Sequence, residues 1–287
     1  MRASDLSVSC KRYFLNERGV RPMSYKAIES AVERLIVFAQ TDDLKQINTG
    51  LIREFLYWGR EELLWSPKTF RNIRQCLASY FNFCIKFGYI TKNPVEEIDK
   101  PKLPHALPRS LTQEQAKIIL AYTLDHPWRY ELERSRNYAI IMTFLHTGLR
   151  LSELINLQRQ DVDLHEGLIT VRSGKGQKDR LVPISGLLSR TLRRYEDERR
   201  TKLPPTRWYF SSVRSQSRLT GKNVQAVCTK ISRESGIKFT PHMLRHTFAR
   251  TAVENDMNLF KLMQILGHTD LSITQRYLVF NLNSTFS

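Results

Sequence analysis

Asp99-Lys100-Pro101-Lys102-Leu103-Pro104-His105-Ala106-Leu107-Pro108 decides how this chain is divided. Prolines at 101, 104 and 108 remove backbone donors and fix φ, so no regular helix runs through them and the segment suits an extended linker. A linker over 100–110 then separates a domain over 1–99 from another over 111–287. The two sides carry different patterns.

On the amino-terminal side every pattern is helical. From Ser24 to Gln40, residues Ile28, Val32, Leu35 and Phe38 share a face, and a second helix after Asn48 carries Ile52, Phe55, Leu56 and Trp58. A third opens at Ser66-Pro67, with serine at the cap and proline in the first turn, and stops before Gly88. Its stripe is Ile73, Leu77, Tyr80, Phe81 and Cys84, while Lys68, Arg71 and Arg74 crowd its first turns. Cations there oppose the helix dipole, which suggests phosphate contact; a merely solvated basic face is the competing explanation.

Beyond the linker, Thr112 and Gln115 form a capping box, and a helix over about 133–146 ends at Gly148. Strands are expected over Leu168–Arg172 and Arg180–Ile184, with a hairpin tip between them. Trp208-Tyr209-Phe210 is either a third strand or a buried loop. Helices follow over about 221–234, 241–254, 259–266 and 270–277. The fold class is therefore mainly α with a small antiparallel β-sheet.

The chain has 45 Lys+Arg against 28 Asp+Glu in 287 residues, a formal net charge of +17, which points to a polyanion and above all to nucleic acid. No apolar run reaches the roughly 18 residues of a membrane helix, and no signal-peptide pattern opens the chain, so a cytoplasmic protein is expected. Cys10, Cys76, Cys84 and Cys228 have no metal or redox spacing; buried reduced thiols, Cys76 and Cys84 in particular, are the expectation.

Chemistry concentrates late. His242 and Arg245, three apart on one helix, project to the same side; Leu266-Gly267-His268 ends the next helix, and Tyr277 follows nine residues on. A tyrosine hydroxyl titrates near pH 10, so an attacking one needs cationic and hydrogen-bonding neighbours. Arg150 follows Gly148, with Glu153 placed for an ion pair, and Lys175 stands between two glycines on the hairpin tip. Two other functions compete: a metal-dependent hydrolase using His242, His246 and His268, which lacks the expected glutamate, and a non-catalytic DNA-binding regulator, which leaves Lys175, His268 and Tyr277 without purpose.

Taken together, these residues resemble the tyrosine recombinase and integrase family, whose Arg, Lys, His-x-x-Arg, Leu-Gly-His and Tyr occur in this order. Thr-Gly-Leu-Arg-x-Ser-Glu-Leu from Thr147, Gly-Lys-Gly-x-Lys-x-Arg-x-Val-Pro from Gly174 and Pro-His-x-Leu-Arg-His from Pro241 are closest to the short Xer-type or transposon-resolving recombinases. The resemblance implies a helical core-binding domain clamped with a mixed catalytic domain around duplex DNA. It implies catalytic Arg150, Lys175, His242, Arg245, His268 and Tyr277, with no metal and no cofactor. Tyr277 would join the 3′ phosphate, Lys175 would protonate the departing 5′ oxygen, and strand exchange would proceed through a Holliday junction in a homo-tetramer on two paired sites. Further DNA contacts are expected from Lys68, Arg71, Arg74, Lys178, Arg180 and Lys222. No arm-binding domain is expected before the first helices. Phe280, Leu282 and Phe286 of the short tail are candidates for docking on a neighbouring subunit. The target sequence and any accessory protein are unknown.

Overall fold

Ser66, Thr112 and Thr240 start their helices by local chemistry. In each case the side-chain oxygen accepts a hydrogen bond from the backbone N–H three residues on, at Thr69, Gln115 and Met243. The structure is a computed structural model that describes residues 1–103, 109–172 and 179–268. The expected hairpin tip with Lys175 and Lys178, and the stretch carrying Tyr277 and the tail, lie outside the described residues. Contacts divide the chain into Met1–His105 and Ala106–Ser287, a division inside the expected linker.

The first unit begins with Ser4–Leu6, α1 (Ser7–Arg12) and a wide turn over Tyr13–Glu17, then α2 (Pro22–Ala39), α3 (Thr49–Glu61) and α4 (Pro67–Lys86). Leu35, Ile52, Phe55, Leu56, Leu77, Phe81 and Cys84 are buried at its centre. Lys68 is exposed and Arg71 half-buried, but Arg74 is turned inward and only 8% exposed. Its Nε donates to the Ile98 carbonyl at 2.5 Å and its Nη2 to Val95 at 2.9 Å and Glu96 at 3.3 Å. This corrects the expectation that Arg74 meets DNA: its donors are spent on the segment after α4, where buried carbonyls need partners. Cys10, Cys84 and Cys228 are buried free thiols, whereas Cys76 is half-buried, because it flanks the α4 stripe instead of lying on it.

The second unit is built around α6 (Glu131–Thr147), against which α5 (Gln113–Asp125), α8 (Gly186–Lys202) and α10 (Pro241–Glu254) all pack. Ala139 through Phe144 are buried without a break, so α6 has no outer face over that stretch. Each large side chain buried this way contributes about 1.5–3 kcal/mol. Short α7 (Leu151–Asn156) leads into a sheet of β1 (Val162–Asp163), β2 (Leu168–Val171) and β3 (Arg180–Pro183), antiparallel in that order, with Ile169 opposite Val182. Trp208–Phe210 is a loop in which Trp208 is half-buried and Tyr209 and Phe210 are buried, the Tyr209 N–H donating to the Leu157 carbonyl at 2.8 Å; β1 takes the third strand position. Helices α9 (Gly221–Ser235), α10 and α11 (Leu259–Leu266) complete the described part. No described helix is long and apolar enough to cross a membrane.

Candidate active site

The end of α6 fixes the site. Gly148 takes the left-handed conformation at φ +62°, where a Cβ would lie 2.4 Å from Phe248 Cδ1 of α10 and 2.8 Å from Leu266 Cδ2 of α11. Only glycine lets these three helices approach so closely. Its carbonyl accepts from Arg245 Nη1 at 2.6 Å, and two residues later Arg150 caps α7.

Helix α11 ends in the same manner at Gly267, φ +63°. Helix ends leave carbonyls without intrahelical partners and carry partial negative charge. Three arginines from three elements take these carbonyls: Arg180 Nε donates to Ile265 at 2.7 Å, Arg245 Nη2 to Leu266 at 2.8 Å, and Arg150 Nη2 to Gly267 at 2.7 Å. One carboxylate stands among them. Glu153 accepts from the backbone N–H of Arg150 at 2.7 Å and the Arg150 guanidinium at 2.8 Å, and its two oxygens accept from Arg180 at 3.0 and 2.8 Å. Burial alone would raise the Glu153 carboxyl; the Arg180 guanidinium and the donors of Arg150 override it and hold it at about 2. The expected Arg150–Glu153 ion pair is present, and Glu153 proves to hold a second arginine as well.

Arg180 was expected on DNA, and here the structure corrects the sequence. Its side chain is 11% exposed, with donors committed to Glu153 and Ile265, so it braces the site from within. Arg150 keeps 37% of its side chain exposed and is the guanidinium most open to a ligand. Arg245 is 3% exposed and donates to His268 Nε2 at 3.0 Å. That contact makes Nε2 the acceptor and leaves the ring proton on Nδ1. Burial, and then the guanidiniums of Arg245 and Arg150, push the His268 ring from 6.5 down to about 4, so it is neutral at neutral pH.

His242 is exposed near the start of α10, its ring centroid 4.1 Å from that of His246. His246, a candidate only in the metal-dependent alternative, is pushed down to about 4 by burial and by the charges of His242 and Arg245, and it lies within electrostatic reach of His268. Among the described residues no three His, Cys, Asp or Glu side chains group as metal ligands, and His268 Nε2 already faces a guanidinium. Lys222 is exposed one residue along from Gly221, where a Cβ would touch Leu151 of α7 at 3.4 Å. Lys175, Lys178 and Tyr277 lie outside the described residues. The site thus joins Arg150, Arg245 and His268 and adds Glu153, Arg180 and His246. Three guanidiniums against one carboxylate leave excess positive charge where an anionic oxygen can be received.

Residues 109–282 match the phage integrase family. Tyrosine recombinase XerA of Thermococcus onnurineus is 36% identical over 215 residues, covering 74% of this chain and 71% of that protein. Tyrosine recombinase XerD of Listeria monocytogenes is 31% identical over 283 residues, covering 96% and 93%. Among solved structures, the XerH site-specific recombinase bound to palindromic difH substrate in a post-cleavage complex superposes with a TM-score of 0.77. That match is 23% identical and covers 98% of this chain and 82% of the other, a likeness of fold.

Proposed function

The chain belongs to the phage integrase family of tyrosine recombinases and is an enzyme of site-specific DNA recombination, and from that premise we propose how its residues divide the reaction on duplex DNA. Arg150 donates to the non-bridging oxygens of the scissile phosphate, and Arg245 adds fixed positive charge beneath it; both favour the extra charge of a pentavalent transition state. His268, neutral and protonated on Nδ1, offers a third donor. His242, the exposed member of its pair, hydrogen-bonds the phosphate or takes the tyrosine proton. The Tyr277 oxygen attacks phosphorus, the bond to the 5′ oxygen breaks, and Lys175 gives that oxygen a proton. The 3′-phosphotyrosyl bond keeps the energy needed for rejoining by a new 5′ hydroxyl. Lys175 and Tyr277 enter on sequence order alone.

The observation that carries this reading is the gathering of Arg150, Arg180 and Arg245 at the end of α11 with one carboxylate to hold them. Lys68, Arg71, Lys178 and Lys222 are assigned to backbone contacts, and a homo-tetramer on two paired sites in the cytoplasm completes the proposal, with exchange through a Holliday junction. Arg150→Ala should bind its site with near-normal affinity yet cleave at least about a hundredfold more slowly, the loss expected when a transition-state donor is removed. Equal loss of binding and cleavage would refute the assignment. Sedimentation of the protein with its site should give four protomers to two duplexes; a stable two-protomer end state would refute the tetramer.

A further inference from the structure

Two imidazoles stand side by side on α10, and the proposed chemistry employs only His242. His242 is exposed in the first turn of the helix, where several rotamers are open to a side chain. A group that meets a phosphate oxygen or takes a tyrosine proton must instead be held within hydrogen-bond reach of it, and such a ring commonly has a further group set against it. His246 is placed to be that group. It lies one turn on and half-buried, its ring centroid 4.1 Å from that of His242 and the two planes 69° apart, an edge-to-face contact of the kind aromatic rings prefer. Its backbone is anchored, since Leu244, Arg245 and Thr247 around it are all buried.

Charge decides whether two such rings can share a turn. Both protonated, they would repel each other beside the Arg245 guanidinium. Burial first, and then the charges of His242 and Arg245, keep His246 uncharged at neutral pH. A proton arriving on His242 therefore meets a neutral ring and not a second cation. We propose that His246 is a positioning residue: its ring, set edge-to-face against His242, holds that imidazole in the rotamer from which it meets the scissile phosphate or takes the tyrosine proton. The inference rests on the assignment of His242 to one of those two tasks.

Single-turnover cleavage of a nicked site by the full chain, with site binding measured beside it, tests this. His246→Ala should cleave about fivefold more slowly, the share expected of one aromatic pair, with its affinity for the site unchanged. His246→Phe, which restores a ring, should recover most of that loss, and His246→Leu, which restores bulk alone, should not. The same His246→Ala substitution placed in His242→Ala should cost nothing further, because the ring it positions is gone. If His246→Ala fails to fold, His246→Leu takes its place in both backgrounds. A loss that persists in the His242→Ala background, equal rescue by His246→Phe and His246→Leu, or a parallel loss of site binding would overturn the positioning role. A wild-type chain that forms no covalent adduct with DNA would remove the assignment of His242 and the inference with it, a failure distinct from all of these.

Discussion

At Glu153 one carboxylate of 13% exposure holds two guanidiniums that would otherwise repel each other beside the end of α11. Glu153→Gln keeps the shape but removes the charge. Breaking one partner out of a buried ion cluster costs about 3 kcal/mol, and urea denaturation should show a loss of that order together with slower cleavage. A loss below about 1 kcal/mol would mean that the helix end alone holds the arginines. His268 and His246 give the site a pH dependence whose sign is fixed. Both rings titrate in the folded chain at about 4, against 6.5 ordinarily, so between those values the unfolded chain binds more protons. Their stabilising contribution is complete above about 6.5 and is lost as pH falls toward 4. The urea midpoint should drop across that window, and less steeply in His268→Gln; a flat midpoint would contradict the neutral, guanidinium-facing ring.

Helix α4 separates binding from stability within a few turns. Lys68→Ala and Arg71→Ala should each flatten the salt dependence of DNA binding by about one log-log unit, as for one lost phosphate contact, and leave the urea midpoint in place. Arg74→Met should do the reverse. It strands the buried Ile98 carbonyl and removes the side-chain donor to Val95 and Glu96, at a cost of about 2 kcal/mol, and leaves the salt slope unchanged. Gly148→Ala, forced to hold φ +62° with its Cβ against Phe248, should lose on the order of 2 kcal/mol by the same denaturation measurement. These elements also show what was legible in the residues. Caps at Ser66 and Thr112 were readable because their hydrogen bonds span three residues. Helix α8 was not, because its buried stripe of Leu188, Leu192 and Tyr195 is embedded in a run of charges that looks solvated. Strand β1 is two residues long, too short for any alternation to register. Arg74 and Arg180 looked like phosphate ligands because their partners lie 24 and 85 residues away, beyond any local pattern.

Across the molecule, the excess of cations suits a phosphodiester partner, while the site spends three of its arginines on its own helix ends. Order and spacing named Arg150, Arg245 and His268 together because a shared reaction constrains them jointly, whereas the bracing by Glu153 and Arg180 appears only when the chain is folded. The account stands on one claim: this cluster serves a phosphodiester attacked by Tyr277. A recombination site nicked so that the cleaved fragment diffuses away should leave the protein joined to DNA through one residue. The account predicts a chelator-resistant covalent adduct that peptide mapping assigns to Tyr277 and that disappears in Tyr277→Phe while site binding persists. No adduct, or one that survives Tyr277→Phe, would contradict it.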